Sequence, residues 1–319
     1  MNIDLSVVVP VYNEDNNIDP LYREIGSALS SLTKTYEIVF VDDGSNDNTF
    51  QVLKEIQERD KRVKIIKFRR NFGKSVALNS AFNFVKGNII ITMDGDLQDN
   101  PDEIPRFVDA IEGGSDLVSG WKYTRKDPLT KKLPSKLFNN MTRLLTGVDL
   151  HDFNCGFKAY KRGVLDTISL YGEMHRYIPA LAAQYGFKIT ELKVEHRPRS
   201  YGKSKYGFSR LIKGFLDLIT VKFLTEYSSR PLHVFGIPGI LSLISGVFIG
   251  LYLVILKYWK DIMLGDRPLL LLSILLIILG LQFVSIGLLG EMITFRERKD
   301  ASTEKYIEAI LDGQNDNNI

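Results

Sequence analysis

The chain has 319 residues, 45% of them hydrophobic, with 41 Lys plus Arg against 38 Asp plus Glu for a formal net charge of +3. So small an excess, without a polybasic run or a basic–aromatic ladder, argues against a nucleic-acid partner. The single cysteine, Cys155, excludes an intrachain disulfide and a thiolate metal cage. Residues 6–10, Ser-Val-Val-Val-Pro, read as a first buried strand closed by Pro10. No basic region or cleavage site precedes it, so no signal peptide is expected and the first domain is placed in the cytosol. A helix should follow the cap-forming residues 13–17 and run to about residue 32. Residues 37–41 form the second expected strand, broken at Asp42-Asp43-Gly44-Ser45, and 49–60 an amphipathic helix.

A third strand is expected at 63–68, a helix at 74–86 and a fourth strand at 88–93. Asn100-Pro101-Asp102-Glu103 is a strong helix start, with a capping Asn, Pro at the first helical position and acids in the first turn. That helix should stop at Gly113-Gly114, before a fifth strand at 116–120. Residues 121–150 are basic and less regular. Strand-like 156–160 follows, then a helix end and strand over 185–195. Buried apolar strands alternating with helices predict a mostly parallel, doubly wound α/β sheet.

From about residue 230 the character changes. Residues 207–230 place apolar side chains at helical spacing with Arg210, Lys213 and Lys222 between them. This fits either a helix in a membrane interface or an ordinary helix packed on the domain. Residues 233–256 and 268–290 are each free of charge and long enough for the roughly 20 residues that cross a bilayer core. The short connection predicts a transmembrane hairpin, with Tyr252, Tyr258 and Trp259 suited to an interfacial belt. A modest positive-inside bias puts both termini in the cytosol. The expected organisation is a catalytic domain over 1–206, juxtamembrane helix over 207–230, hairpin over 231–293 and cytosolic tail over 294–319.

The chemistry concentrates in Asp94-Gly95-Asp96, which ends the apolar run 89–93. Two carboxylates at the carboxyl edge of such a sheet lie where these folds bind ligands. They repel each other unless a cation intervenes, and Mg²⁺ or Mn²⁺ commonly bridges carboxylates to substrate phosphates. A solvated acidic turn is the plainer alternative.

Four motifs in order give this triplet its setting: Val9-Pro10-Val11-Tyr12-Asn13-Glu14, Val41-Asp42-Asp43-Gly44-Ser45, Arg70-Asn71-Phe72-Gly73-Lys74, and Asp94-Gly95-Asp96-Leu97-Gln98-Asp99-Asn100-Pro101. Together they resemble the nucleotide-sugar domain of family 2 glycosyltransferases. The likeness continues through Asp152-Phe153-Asn154-Cys155-Gly156-Phe157 and Gly202-Lys203-Ser204-Lys205 to the hairpin. It looks like the dolichyl-phosphate mannosyltransferase-like group, which includes bacterial polyprenyl-phosphate glycosyltransferases.

The resemblance implies a GT-A-like fold and inverting transfer of one sugar from a UDP- or GDP-sugar to a polyprenyl phosphate at the cytosolic membrane face. Pro10, Tyr12, Glu14, Asp43, Lys74, Asp94, Gly95, Asp96 and Gln98 would bind the nucleotide sugar. Asp94, Asp96 and Gln98 would hold Mg²⁺ or Mn²⁺. Lys122, Arg125, Lys132, Ser135, Arg199 and Lys205 would meet the acceptor phosphate, or some of them serve only as solvated surface cations. A phosphate with a second pKa of about 6 is largely dianionic at neutral pH and needs no strong base. Some relatives carry an Asp directly before the motif Phe as a proposed base. Here that position is Gly156, and Asp152 either assists catalysis or orders its loop. The implied partners are donor, acceptor lipid and bilayer; relatives can form homo-oligomers, and nothing in these residues fixes a number. A processive polysaccharide synthase is disfavoured because no Gln-x-x-Arg-Trp motif is present. A non-catalytic sugar-nucleotide sensor is disfavoured because the Asp pair is intact.

Overall fold

A run of apolar residues buried on both faces builds the first strand, β1 (Ile3–Val11), in which Leu5, Val7, Val8 and Val9 have no exposed surface. That pattern belongs to an interior parallel strand covered by helices on either side. The computed structural model describes residues 3–123, 139–168, 174–197, 231–260 and 268–300. The chain divides into two units, Met1–Val221 and Lys222–Ile319. Arg125, Lys132, Ser135, Arg199, Lys205 and the expected helix at 207–230 lie outside the described residues.

In the first unit, β1 is joined by β2 (Tyr36–Asp42), β3 (Val63–Lys67), β4 (Gly87–Thr92), β5 (Leu117–Lys122), β6 (Lys158–Lys161) and β7 (Ile189–Val194). The spatial order is β3-β2-β1-β4-β6-β5-β7. Every pairing is parallel except those of β6, which runs antiparallel to β4 and β5. β1 continues through Pro10 to Val11. Its ladder with β4 ends at Val8 opposite Thr92, so no β4 acceptor lies opposite the missing N–H of proline.

The helices are α1 (Asp15–Ser30), α2 (Thr49–Arg59), α3 (Lys74–Phe84) and α4 (Ile104–Glu112), then two short ones, α5 (Arg162–Thr167) and α6 (Ile178–Gln184). α1 buries Ile18, Leu21, Ile25, Ala28 and Leu29, a helical stripe facing the sheet. The start at Asn100 forms as a 3-10 turn, Pro101–Glu103, with the Asn100 side chain accepting the Asp102 N–H at 3.1 Å. α4 then lays Phe107 against Phe157, rings stacked with centroids 4.5 Å apart. Both are fully buried, and each contributes about 1.5–3 kcal/mol by leaving water.

All carboxyl ends of the parallel strands, and the amino end of β6, meet at one edge of the sheet. The loops after β1, β2, β3 and β4 and the loop before β6 therefore converge there. This edge collects the motifs.

The second unit holds α7 (Pro231–Lys260) and α8 (Pro268–Asp300), packed on each other. Small residues let the backbones approach. A Cβ on Gly280 would stand 2.7 Å from the Gly239 carbonyl oxygen. Ser273 Oγ donates to the Gly246 carbonyl at 2.8 Å. The apolar spans Pro231–Trp259 and Pro268–Ile293, of 29 and 26 residues, are long enough to cross a membrane and only 17% and 11% buried. Soluble core helices would be mostly buried. Both helices outrun the expected apolar stretches: Pro231 stands at the first helical position, where proline is tolerated, and residues 257–260 and 291–300 carry no Gly or Pro.

Candidate active site

Three loops at the sheet edge are locked together by side chains accepting backbone N–H groups. After β1, Asn13 adopts a left-handed backbone with φ 54°. Its N–H donates to Ser45 Oγ at 2.9 Å, and the Asn46 N–H donates back to Asn13 Oδ1 at 2.8 Å. The Glu14 N–H donates to Thr49 Oγ1 at 2.9 Å. Asp42 Oδ1 accepts the Ser45 N–H at 2.8 Å, which closes the turn after β2. Asp43 spans to the third loop: its carboxylate accepts the N–H groups of Phe72 at 2.7 Å and Gly73 at 2.9 Å. Gly44 has φ 70°, and a Cβ there would run into the Arg70 backbone. Only glycine serves at that crossing.

The fourth loop carries Asp94 and Asp96. Asp94 Oδ1 is ion-paired to the Lys74 ammonium, with both side chains about one-third exposed. Burial alone would raise the Asp94 pKa. The Lys74 and Lys122 ammonium groups override it and hold the carboxyl well below the usual carboxylate range. Asp96 Oδ1 accepts the Gln98 N–H at 3.3 Å. Between them Leu97 takes φ 59°, an uncommon backbone for a non-glycine residue. Burial of its side chain helps hold it there. The loop is pinned from outside: Arg197 N–H donates to the Gln98 carbonyl at 3.0 Å, and its guanidinium binds Glu24 at 2.6 Å and Asn100 Oδ1 at 2.7 Å.

Beneath this loop lies a charged layer. Asp99, whose side chain has no exposed surface, accepts the Asp94 N–H at 3.1 Å and meets Lys122 Nζ at 2.9 Å. Burial would lower the Lys122 pKa, but Asp99, with Cys155 and Asp94 beyond it, holds the ammonium well above its ordinary range. Lys158 is buried without a carboxylate against its ammonium among the described residues; it donates to the carbonyls of Phe153, at 3.3 Å, and Cys155. Burial pushes its pKa down to about 8. The Cys155 thiol is pushed up to about 12 by burial. His175 shares a 2.6 Å hydrogen bond with Ser75 Oγ, and burial together with Lys74 holds its imidazole neutral.

The loop before β6 covers Asp94. A Cβ on Gly156 would stand 2.5 Å from Asp94 Oδ1. Thr92 Oγ1 donates to the Gly156 carbonyl at 2.9 Å. Asp152 is 1% exposed and accepts the Asn154 N–H at 3.1 Å, which is the geometry of a loop organiser. Glu191 fixes the same loop, accepting the N–H of His151 at 2.8 Å and of Asp152 at 3.1 Å.

The structure thus brings Pro10, Tyr12, Glu14, Asp43, Lys74, Asp94, Gly95, Asp96 and Gln98 to one sheet edge. Lys122 reaches the site from below, with only 10% of its side chain exposed. Asp99, Lys158 and His175 were not expected as site residues. A lysine inside the short strand-like run before Tyr160 was the available signal for Lys158. As a metal site, Asp94 and Asp96 offer two hard carboxylates on one loop, Asp94 held ionised and partly open. That donor set fits Mg²⁺ or Mn²⁺, with further oxygens from Gln98, phosphate or water. Among the described residues no group of three or more His, Cys, Asp or Glu gathers around one point.

Residues 6–169 match the family model for Glycosyl transferase family 2. The chain is 37% identical to the dodecaprenyl-phosphate galacturonate synthase of Rhizobium johnstonii, over 98% of this chain and 94% of that protein. It is 38% identical to the undecaprenyl-phosphate 4-deoxy-4-formamido-L-arabinose transferase of Shewanella sediminis, over the same shares. Among solved structures it resembles glucosyl-3-phosphoglycerate synthase from Mycobacterium tuberculosis in complex with Mn²⁺, UDP-glucose and glycerol 3-phosphate. There the TM-score is 0.53 at 20% identity, covering 70% of this chain and 80% of that one. It also resembles mannosyl-3-phosphoglycerate synthase from Rubrobacter xylanophilus, with TM-score 0.55 at 16% identity over 70% and 75%. These structures share its GT-A-like fold.

Proposed function

The chain belongs to glycosyl transferase family 2, and from that premise we propose that it transfers a single sugar from a UDP- or GDP-sugar to a polyprenyl phosphate, with inversion, at the cytosolic membrane face. The observation that carries the reading is the Asp94-Gly95-Asp96 loop, braced at the sheet edge with Asp94 held ionised, in a chain that also has two helices of membrane-spanning length. The names of the two relatives above support the acceptor class.

In this reading the loops after β1 and β2 hold the nucleoside, and Lys74 with the Asp94–Asp96 loop holds the diphosphate. Asp94, Asp96 and Gln98 would hold Mg²⁺ or Mn²⁺, which would neutralise charge on the departing nucleoside diphosphate. An acceptor phosphate oxygen attacks the sugar C1 from the face opposite the diphosphate. The C1–O bond to the acceptor forms as the C1–O bond to the diphosphate breaks, and the electron pair leaves with the nucleoside diphosphate. The attacking oxygen is already deprotonated, so the chain supplies position and charge rather than a base. Lys122, Arg125, Lys132, Ser135, Arg199 and Lys205 are the acceptor-phosphate candidates. Asp152 orders the loop over Asp94.

The catalytic domain, residues 1–206, and both termini lie in the cytosol in this reading. The segment at 207–230 lies at the interface and 231–293 forms the hairpin. The test is the mass of the lipid product. Undecaprenyl phosphate incubated with the enzyme, a divalent cation and the correct donor gains one sugar and no more. A product carrying several sugars would point to a polymerase instead.

A further inference from the structure

The buried Asp99–Lys122 pair joins two parts of the site that the mechanism treats separately. Taking both ions out of water is costly, and a buried pair is weak evidence for a stabilising role. Its geometry offers another reason for its presence. One Asp99 oxygen accepts the backbone N–H of Asp94 at 3.1 Å, on the donor side. The other forms an ion pair with Lys122 Nζ at 2.9 Å, on the acceptor side, without the alignment of a hydrogen bond. Asp99 itself is fixed by its bridge to His196 and by the Arg197 N–H on the neighbouring Gln98 carbonyl. Lys122 has three donor hydrogens, so it can keep Asp99 and still offer a hydrogen to an anion.

We propose that Asp99 is a positioning residue that couples the two substrates. It sets the Asp94 backbone that presents the diphosphate-side carboxylate, and it aims the Lys122 ammonium at the acceptor phosphate. The inference rests on the functional reading above. One carboxylate then keeps the two reacting groups in register.

Asp99→Asn keeps the shape and an oxygen for the Asp94 N–H but removes the charge facing Lys122. Its affinity for UDP or GDP with Mn²⁺, measured by calorimetry, should stay near wild type. Its KM for undecaprenyl phosphate should rise about 10- to 100-fold, the range when Lys122, no longer held by Asp99, loses its hydrogen bond to the charged phosphate. In a Lys122→Met background the same substitution should change that KM no further, because coupled residues are non-additive. Asp99→Ala, which also removes the acceptor for the Asp94 N–H, should weaken nucleotide binding as well. An unchanged acceptor KM in Asp99→Asn, or an equal added loss in the Lys122→Met background, overturns the coupling. If Asp99→Asn fails to fold, Asp99→Ser, which also removes the charge, takes its place under the same criteria, and an unchanged acceptor KM in Lys122→Met overturns the coupling too. A wild type that transfers no sugar to polyprenyl phosphate overturns the functional reading and the Lys122 limb with it. A wild type that transfers, beside an Asp99→Asn enzyme with normal acceptor KM, overturns the coupling alone.

Discussion

Gly156 lies directly on Asp94: a Cβ at Gly156 would stand 2.5 Å from one carboxylate oxygen and 2.6 Å from the other. The position where some relatives carry an acid is therefore, in this chain, space that the Asp94 carboxylate fills. Gly156→Ala should displace that carboxylate. We predict about a hundredfold loss of kcat/KM, the scale for misplacing a reacting group by about 1 Å. Steady-state kinetics, with circular dichroism to check folding, measure it; a near-wild-type rate would mean that Asp94 swings freely.

Lys74 is the nearest cation to Asp94 and a main cause of its lowered pKa. A depressed carboxyl pKa contributes stability that is present above the unfolded value of about 3.9 and lost as pH falls through the folded value. Lys74→Met should bring the Asp94 carboxyl up toward that ordinary value. Carbon-detected NMR titration of Asp94 in the ligand-free protein should show its midpoint moving to higher pH. An unmoved midpoint would assign the shift to Lys122 and the fold around it.

Lys158 gives a prediction of the same sign in a higher pH window. Its folded pKa is lowered to about 8, below the roughly 10.4 of a free lysine. Below about pH 8 both folded and unfolded states hold the proton. Between about 8 and 10.4 the unfolded state binds more protons, so this group's contribution to stability rises with pH. Urea unfolding across that window should show the rise in wild type and a flatter curve in Lys158→Met. Parallel curves would show that Lys158 stays protonated in the folded protein, held by the Phe153 and Cys155 carbonyls.

In the hairpin, the Gly239–Gly280 crossing leaves no room for a side chain. Gly280→Leu should separate α7 from α8 and lower the thermal midpoint of the detergent-solubilised protein by several degrees, as overpacking costs about 1–3 kcal/mol. Leu271, which is exposed, provides the control: Leu271→Ile should leave the midpoint in place.

Much of the first unit could be read from the chain because its parallel strands are continuous apolar runs and its turns carry Asn, Asp, Gly and Pro. β6 was less legible in direction. It is four residues long with a lysine at each end, and its antiparallel insertion between β4 and β5 depends on pairing alone. α5 escaped notice because it is short and is anchored through Arg162, whose guanidinium binds the carbonyls of Val85 at 2.7 Å and Gly87 at 2.8 Å. The Asp94–Asp96 pair was legible as a strand that ends in two acids. The role of Asp99 was not, because it exists only where β5 carries Lys122 beneath the loop. Lys122 itself looked like a free phosphate-binding cation, and its burial against Asp99 could not be read from local sequence.

The central claim is tested most directly by label transfer. Radiolabelled sugar from a panel of UDP- and GDP-sugars, with Mg²⁺ or Mn²⁺, is offered to undecaprenyl phosphate with wild type and Asp96→Asn. The account predicts that one donor puts label into the organic-extractable lipid, and that the label is lost with Asp96→Asn and with chelator. No lipid label from any donor, with folded protein that binds nucleotide, would contradict it.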